Sequence, residues 1–479
     1  MRFLKSDFAY EGRDTYSLLL QQVSSLERSI TPQGLANILW ALGTMGDRWE
    51  FLPLALQSTI GRVLRRFNSN SPTSSPLGMQ SIASIVNGLA KLDFALNSGE
   101  KKENQHHLEE SLLYLLSAIP QGKASYPHEI AVLIHSLAKI KLMWSRIPAG
   151  PGDSIRQSIE RSSFKMSEQE IGNVVWGLGQ MGVDFTLLEA SFREALLKPV
   201  VLRRNELRLP ALMGVLQGLE KGKLSWKSIH PALRQALSAA SLRILVEDTG
   251  KGAGVTLLHA LGRLQTPWNT LPKPLTSLLL EESLASLASF TNASAISCQK
   301  TSQVFNGLAC MYLTWSSLDA KYTESLLDIL VRNLPSFTSF ELSSTVWALA
   351  RMGVTIGMIQ KTDLLPQLMK KLALHLASFS PGELAWLLWA LGKFEIQFKD
   401  LELNLQQAMM GTTRKSMIAM SSRERGVTFW AFARMAIPLN DLSPDERALI
   451  LQSIEELAMQ SLEKAWNNSR LQDDHRVVT

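Results

Sequence analysis

Ten times along this 479-residue chain the same phrase recurs, and recurrence at a near-fixed spacing restricts the fold to repeat architectures. With a capping residue as position zero, the copies begin at Thr31, Gly78, Tyr126, Ser167, Arg208, Gly250, Ser297, Thr338, Ser380 and Ser421, at intervals of 41 to 48 residues. The plainest copies read TPQGLANILWALGTMG, SEQEIGNVVWGLGQMG, TSFELSSTVWALARMG and SPGELAWLLWALGKFE.

Each copy predicts a helix. Position four is Leu or Ile in seven copies, position eight is always apolar, and position eleven is Leu except at Phe432, which draws one stripe along a helix. Ser167, Thr338, Ser380 and Ser421 each have Glu three residues later, a capping box in which hydroxyl and carboxylate each accept from a backbone amide left open at the helix start. Positions five, ten and twelve are mostly Gly, Ala or Ser, small enough for another helix to come close. A break follows, often with glycine (Gly46, Gly182, Gly353), and then an apolar residue at position eighteen. A second apolar stripe, as in DLLPQLMKKLALHLASF, predicts a second helix. Neither helix buries its stripe alone. The expectation is therefore all-α: a right-handed α-solenoid of about ten helix–turn–helix repeats.

By position, residues 1–30 are an N-terminal segment with a half-repeat capping helix (YSLLLQQVSSLERSI), 31–440 the array, 441–466 a final capping helix opened by Ser443 and Glu446, and 467–479 a polar tail. NSNSPTSSP (68–76) and NSGEKKENQHH (97–107) are polar enough to be surface insertions. The His106–His107 pair in the second has no Cys or carboxylate constellation beside it and reads as solvated loop, so no metal site is expected. GKGAG (250–254) lacks the Lys-Ser/Thr ending and preceding strand of a phosphate loop and reads as a frayed helix start.

Composition narrows the class. Hydrophobic residues at 46 % and charged ones at 19 % suit a folded chain, and a net charge of +6 is compatible with a nucleic-acid partner. Two cysteines, Cys298 and Cys310, do not make a disulfide scaffold. No apolar run is long enough for a bilayer, so no membrane insertion is expected. The first residues, with Asp7, Glu11 and Asp14, resemble neither a secretory signal nor a transit peptide. There is no HExxH, GxSxG or Walker sequence, so neither enzymatic activity nor a cofactor is expected, and no residue is a catalytic candidate.

The functional signal lies on one edge of the first helices. Positions two, six, nine and thirteen fall within about 60° of one another around a helix. Position thirteen is Lys91, Lys139, Lys221, Arg263, Arg351, Lys393 or Arg434 in seven copies. Stacked, these make a basic row suited to RNA phosphates; their other reading is stabilisation of helix C-termini. Position six varies, and Asn37, Ser84, Asn173, Thr256, Gln303, Ser344 and Trp386 are the candidates for base contact; their other reading is ordinary surface variation. Position nine is tryptophan at Trp40, Trp176, Trp347, Trp389 and Trp430, while position eighteen is tryptophan at Trp49, Trp144, Trp226, Trp268 and Trp315. Only repeat one has both, which suggests that the two sites fill one shared packing volume; Trp386 is then the better stacking candidate.

The phrases ELSSTVWALARMG, EIGNVVWGLGQMG and GLANILWALGTMG resemble octotricopeptide-type (OPR) repeats of organellar RNA-binding proteins, and are similar to the helical repeats of FAST-kinase-like mitochondrial proteins. The likeness runs from about residue 16 to 466 and is sharpest in Leu-x-x-x-x-Trp-Ala-Leu-Ala/Gly. It implies an α-solenoid in a mitochondrion or chloroplast that binds single-stranded RNA and supports its processing, stability or translation, in company with protein partners. Many members end in a nuclease-like RAP module; this chain shows none, which favours binding over cleavage. Roughly one contact per repeat sets an expected footprint on the order of ten nucleotides. The alternative is a protein–protein scaffold using the solenoid groove.

Overall fold

A computed structural model describes residues 20–23, 25–67, 77–96, 103–119, 126–248, 252–290, 294–359 and 363–437, together with most of 443–459. The stripe at positions four, eight and eleven is buried in repeats one to nine, and in repeat ten Phe432 is buried. The ten first helices are α1 (Pro32–Met45), α3 (Met79–Lys91), α5 (Pro127–Lys139), α7 (Glu168–Gln180), α9 (Leu209–Lys221), α11 (Ala253–Arg263), α13 (Ala295–Cys310), α15 (Ser339–Arg351), α17 (Pro381–Lys393) and α19 (Ser422–Arg434). The second helices between them are α2 (Leu54–Arg66), α4 (Glu103–Ser117), α6 (Ala149–Ser162), α8 (Ala190–Leu202), α10 (Pro231–Glu247), α12 (Lys273–Ala288), α14 (Ala320–Asn333), α16 (Leu364–His375) and α18 (Leu403–Met417). No strand occurs among the described residues. The protein is an all-α helical-repeat solenoid. It divides into two compact units, Met1–Ile244 with repeats one to five and Leu245–Thr479 with repeats six to ten.

All four expected capping boxes form. At Ser380 the backbone N–H donates to Glu383 Oε2 at 2.7 Å, and the Glu383 N–H donates to Ser380 Oγ at 3.4 Å. Three boundaries differ from the sequence reading. Repeat six opens with Gly252 as cap, two residues after Gly250, which lies outside the described residues. Repeat seven opens at Ser294 rather than Ser297, because Ser294 and Ser297 form their own reciprocal cap and add a turn to α13. The segment at 97–107 is not all loop, since α4 begins at Glu103; His107 sits in that helix 3.6 Å from Glu110. Residues 68–76 and 97–102, the side chain of His106, the start of the N-terminal half-repeat, Glu446 and the tail lie outside the described residues.

The small positions act as expected, and the structure shows on what. Within each unit consecutive first helices meet backbone to backbone. A Cβ on Gly172 would lie 2.9 Å from the Ala211 backbone, one on Gly179 2.5 Å from the Gly218 carbonyl oxygen, and one on Gly218 2.3 Å from the Val175 carbonyl oxygen. In the second unit Gly262 and Gly307 meet in the same way, at 2.7 Å. Packing this close leaves no room for a side chain and fixes the register between neighbours.

Position fifteen ends every first helix in the left-handed region. Three copies are glycine, but Asp93, Lys141, Lys223, Gln265, Tyr312, Glu395 and Ala436 adopt φ between 53° and 62°. Each closes a Schellman motif: in repeat four the Val183 N–H donates to Leu178 O at 3.1 Å and the Gly182 N–H to Gly179 O at 3.0 Å. The carbonyl of position fourteen is then still open, and the preceding repeat fills it. Its position-eighteen N–H donates to that oxygen: Trp49 to Leu92 (2.7 Å), Leu96 to Ile140 (2.9 Å), Trp144 to Met181 (2.8 Å) and Phe185 to Gly222 (2.9 Å) in the first unit. Trp268 to Met311 (2.9 Å), Trp315 to Met352 (2.8 Å) and Phe398 to Met435 (2.9 Å) do the same in the second. Repeats joined in this way are stitched by backbone as well as packed by side chain; the Ile356 amide of repeat eight makes no such bond to Phe394.

Candidate functional site

The edge drawn by positions two, six, nine and thirteen is the outward side of the first-helix row. All seven position-thirteen cations are exposed, as are Asn37 and Thr256, while Ser84, Asn173, Gln303, Ser344 and Trp386 are half-buried. Neighbouring copies touch along it. Asn306 at position nine donates to Ser344 Oγ at position six of the next repeat (3.2 Å), and His135 and Trp176, successive position-nine residues, have ring centroids 4.9 Å apart. Gln33 and Gln169 donate to Asn37 and Asn173 one turn on, at 2.9 and 3.1 Å, so these two position-six amides are held in place. The candidates therefore form aligned rows within each unit.

The two tryptophan positions differ in exposure by copy. At position eighteen Trp49, Trp226 and Trp315 are buried and Trp144 and Trp268 half-buried, and Trp49 packs edge-on against Phe94 with centroids 5.1 Å apart. At position nine Trp40 is 50 % and Trp430 36 % exposed, while Trp176, Trp347 and Trp389 are half-buried. Ile356, at position eighteen of repeat eight, and Trp389, at position nine of repeat nine, line one cavity.

Cations lie over the outer rings. Lys91 Nζ is 4.7 Å from the Trp40 centroid, across the repeat boundary. In the second unit Arg351 sits 5.2 Å from Trp347, Lys393 5.7 Å from Trp389 and 5.5 Å from Trp430, Arg434 5.9 Å from Trp430, and Arg423 5.7 Å from Trp386. Trp347 meets Trp386 at 6.2 Å edge-on, and Trp389 meets Trp430 at 6.3 Å. Repeats eight to ten thus carry a run of alternating indoles and cations.

The basic row is not uniform. Among the described residues Lys91, Lys139 and Lys393 have no carboxylate at ion-pair distance. Arg434 pairs with Glu395 at 2.6 Å and Lys221 with Glu220 at 3.9 Å. The Arg351 Nε–H donates to the Ala309 carbonyl at 3.1 Å, so that residue also caps the preceding first helix. Elsewhere carbonyl capping falls to cations of the second helices, as where Arg332 donates to Leu287 O at 3.1 Å.

One signal in the sequence bears on the whole edge. None of the forty residues at positions two, six, nine and thirteen is Asp or Glu, in a chain that holds 43 of them. His135, half-buried beside Trp176 and near Lys139, is pushed down to about 4, first by desolvation and then by the lysine charge, so it stays neutral at pH 7. Among the described residues no group of three or more His, Cys, Asp or Glu is placed to hold a metal. No described helix is long and apolar enough to cross a membrane.

The class these observations define is a helical-repeat solenoid with an aromatic and basic edge whose positions two, six, nine and thirteen carry no acidic residue. No protein-family model matches the chain, and no curated protein matches it. Among known structures the chain is similar to a homology model of the full-length AP-3 complex in an intermediate open conformation. That likeness has a TM-score of 0.30 and 12 % identity, covering 93 % of this chain and 80 % of the other.

Proposed function

We propose that this protein binds single-stranded RNA along the exposed edge of its first helices. The observation that carries this is the pairing of cations with outward tryptophan rings on an edge whose positions two, six, nine and thirteen carry no acidic residue. Cations attract phosphates, rings stack on bases, and the missing carboxylates remove the repulsion a polyanion would meet. The resemblance to octotricopeptide-type and FAST-kinase-like repeats adds the setting: a transcript in a mitochondrion or chloroplast, occupied so that it is protected, processed or translated.

The test is retention of a random-sequence RNA pool at several salt concentrations, with Lys91, Lys139, Lys393 and Arg434 changed to Ala in parallel. The expected result is selected binding with a steep salt slope, flattened in the variant by roughly 0.7 per lost phosphate contact. Retention untouched by the substitutions overturns the basic row, and no retention overturns the RNA reading. One observation favours a protein partner instead: an open apolar groove of about 690 Å³ in the first unit, walled by Leu197, Val201 and Leu202 of α8, by Leu233 of α10 and by Ile229 just before it. Capture of a defined partner protein, lost when Val201 and Leu233 become Asp, supports that reading.

A further inference from the structure

The edge is not equally polar along its length, and its last two copies form a cleft. Trp389 and Trp430, position nine of α17 and α19, have centroids 6.3 Å apart at 33° and, with Val427 and Ile454, wall an open cavity of about 600 Å³. Among the described residues its charged lining is Lys393 and Arg423, and no carboxylate lines it. Indole faces alone accept any flat apolar group, and bare aromatic cages favour cationic guests. Here Lys393 already stands over both rings, and Arg423 over the adjoining Trp386. A cationic guest meets repulsion, whereas a flat ring bearing negative charge gains from both walls and rim. A nucleotide has that chemistry, and the cavity is large enough for one.

Resting on the RNA reading above, we propose that this cleft is an anchor for one unpaired nucleotide, its base stacked on the Trp389–Trp430 wall and its phosphate held by Lys393 and Arg423, whatever the base. Stacking uses the face that every base has, so the cleft supplies affinity without discrimination. Discrimination falls to copies whose position six is a held amide, Asn37 and Asn173. The protein therefore grips RNA at one end of the second unit by stacking and reads it elsewhere by hydrogen bonding.

The experiment measures fluorescence anisotropy of the full chain with labelled ten-nucleotide oligo(A), oligo(U) and an abasic ribose-phosphate oligomer. The variants are Trp389→Ala/Trp430→Ala, Trp389→Phe/Trp430→Phe and Arg423→Gln. The wild type is expected to bind oligo(A) and oligo(U) within a few-fold of each other and the abasic oligomer about tenfold more weakly. The double Ala variant is expected to lose about tenfold on both base-bearing oligomers while its affinity for the abasic one is unchanged, and the Phe pair to recover most of the loss. Arg423→Gln is expected to reduce the salt slope by about 0.7 and leave the preference for bases intact. It is an exposed surface change, and it keeps the proposal testable if the double Ala variant does not fold. Wild-type affinity for oligo(A) and oligo(U) retained by the double Ala variant, or an unchanged salt slope in Arg423→Gln, overturns the cleft and leaves the RNA reading standing. Failure of the wild type to bind any of the three oligomers overturns both.

Discussion

At position fifteen the seven non-glycine residues hold a conformation that costs an L-amino acid about 1–2 kcal/mol. They hold it because the two Schellman bonds and the stitch to the neighbouring repeat depend on that turn. Gly353, at φ +79° with nothing within 4 Å of where a methyl group would stand, isolates the backbone cost. Gly353→Ala is expected to lose about 1 kcal/mol in chemical denaturation, and Gln265→Gly, at φ 55°, to gain about 0.5–1 kcal/mol. The sequence displays this turn in only three copies, since of the other seven residues that adopt it only Asp93 has any propensity for it. A second expectation concerns His135. Its folded pKa of about 4 lies below the ordinary 6.5, so the unfolded chain takes up the proton first as pH falls. Its contribution is intact above pH 6.5 and declines between 6.5 and 4, by on the order of 1–3 kcal/mol. In His135→Asn, with the residue that other copies carry at position nine, that acid-side loss is expected to vanish from pH-dependent denaturation curves.

Between elements, the closest approaches decide what each helix tolerates. A methyl group on Gly218 would meet Val175 and Trp176 backbone at 2.3 to 2.8 Å, and backbone cannot swing aside. Gly218→Ala is expected to push α9 from α7 and cost about 3 kcal/mol or more, whereas Gly411→Ala, in α18 with nothing within 4 Å, is expected to gain about 0.5–1 kcal/mol of helix propensity. Thermal denaturation of the two variants separates these opposite signs. The helices themselves are legible in the sequence because stripe, cap and small positions agree in nearly every copy. Where they disagree, at Gly250 and Ser297, the starts move by two and three residues to the nearest competent cap. The relation between the two tryptophan positions is not legible as helical periodicity, because the turn at position fifteen interrupts it.

Across the molecule, coupling is between neighbours. In a solenoid each repeat's stability is its own plus that of its two interfaces, so a defect fades with distance along the chain. Hydrogen exchange of Gly218→Ala is accordingly expected to quicken in repeats four and five and stay unchanged in repeats eight to ten. The candidate edge is half-legible: its cations and polar residues stand where helical geometry puts them. Its aromatic–cation contacts depend on which copy lies beside which, and that only packing reveals.

The stitch from position eighteen to the next copy's position fourteen has one further consequence. Each stitched repeat offers the same open carbonyl backwards and the same free amide forwards. A gene duplication or deletion that removes or adds one whole copy rejoins two ends that already fit, while one that breaks a copy elsewhere strands a donor or an acceptor in the core. Arrays built in this way grow and shrink in whole copies. Extra residues are tolerated where no stitch passes, between position eighteen and the start of the next first helix, and the variable spacing of 41 to 48 residues is the record of that freedom.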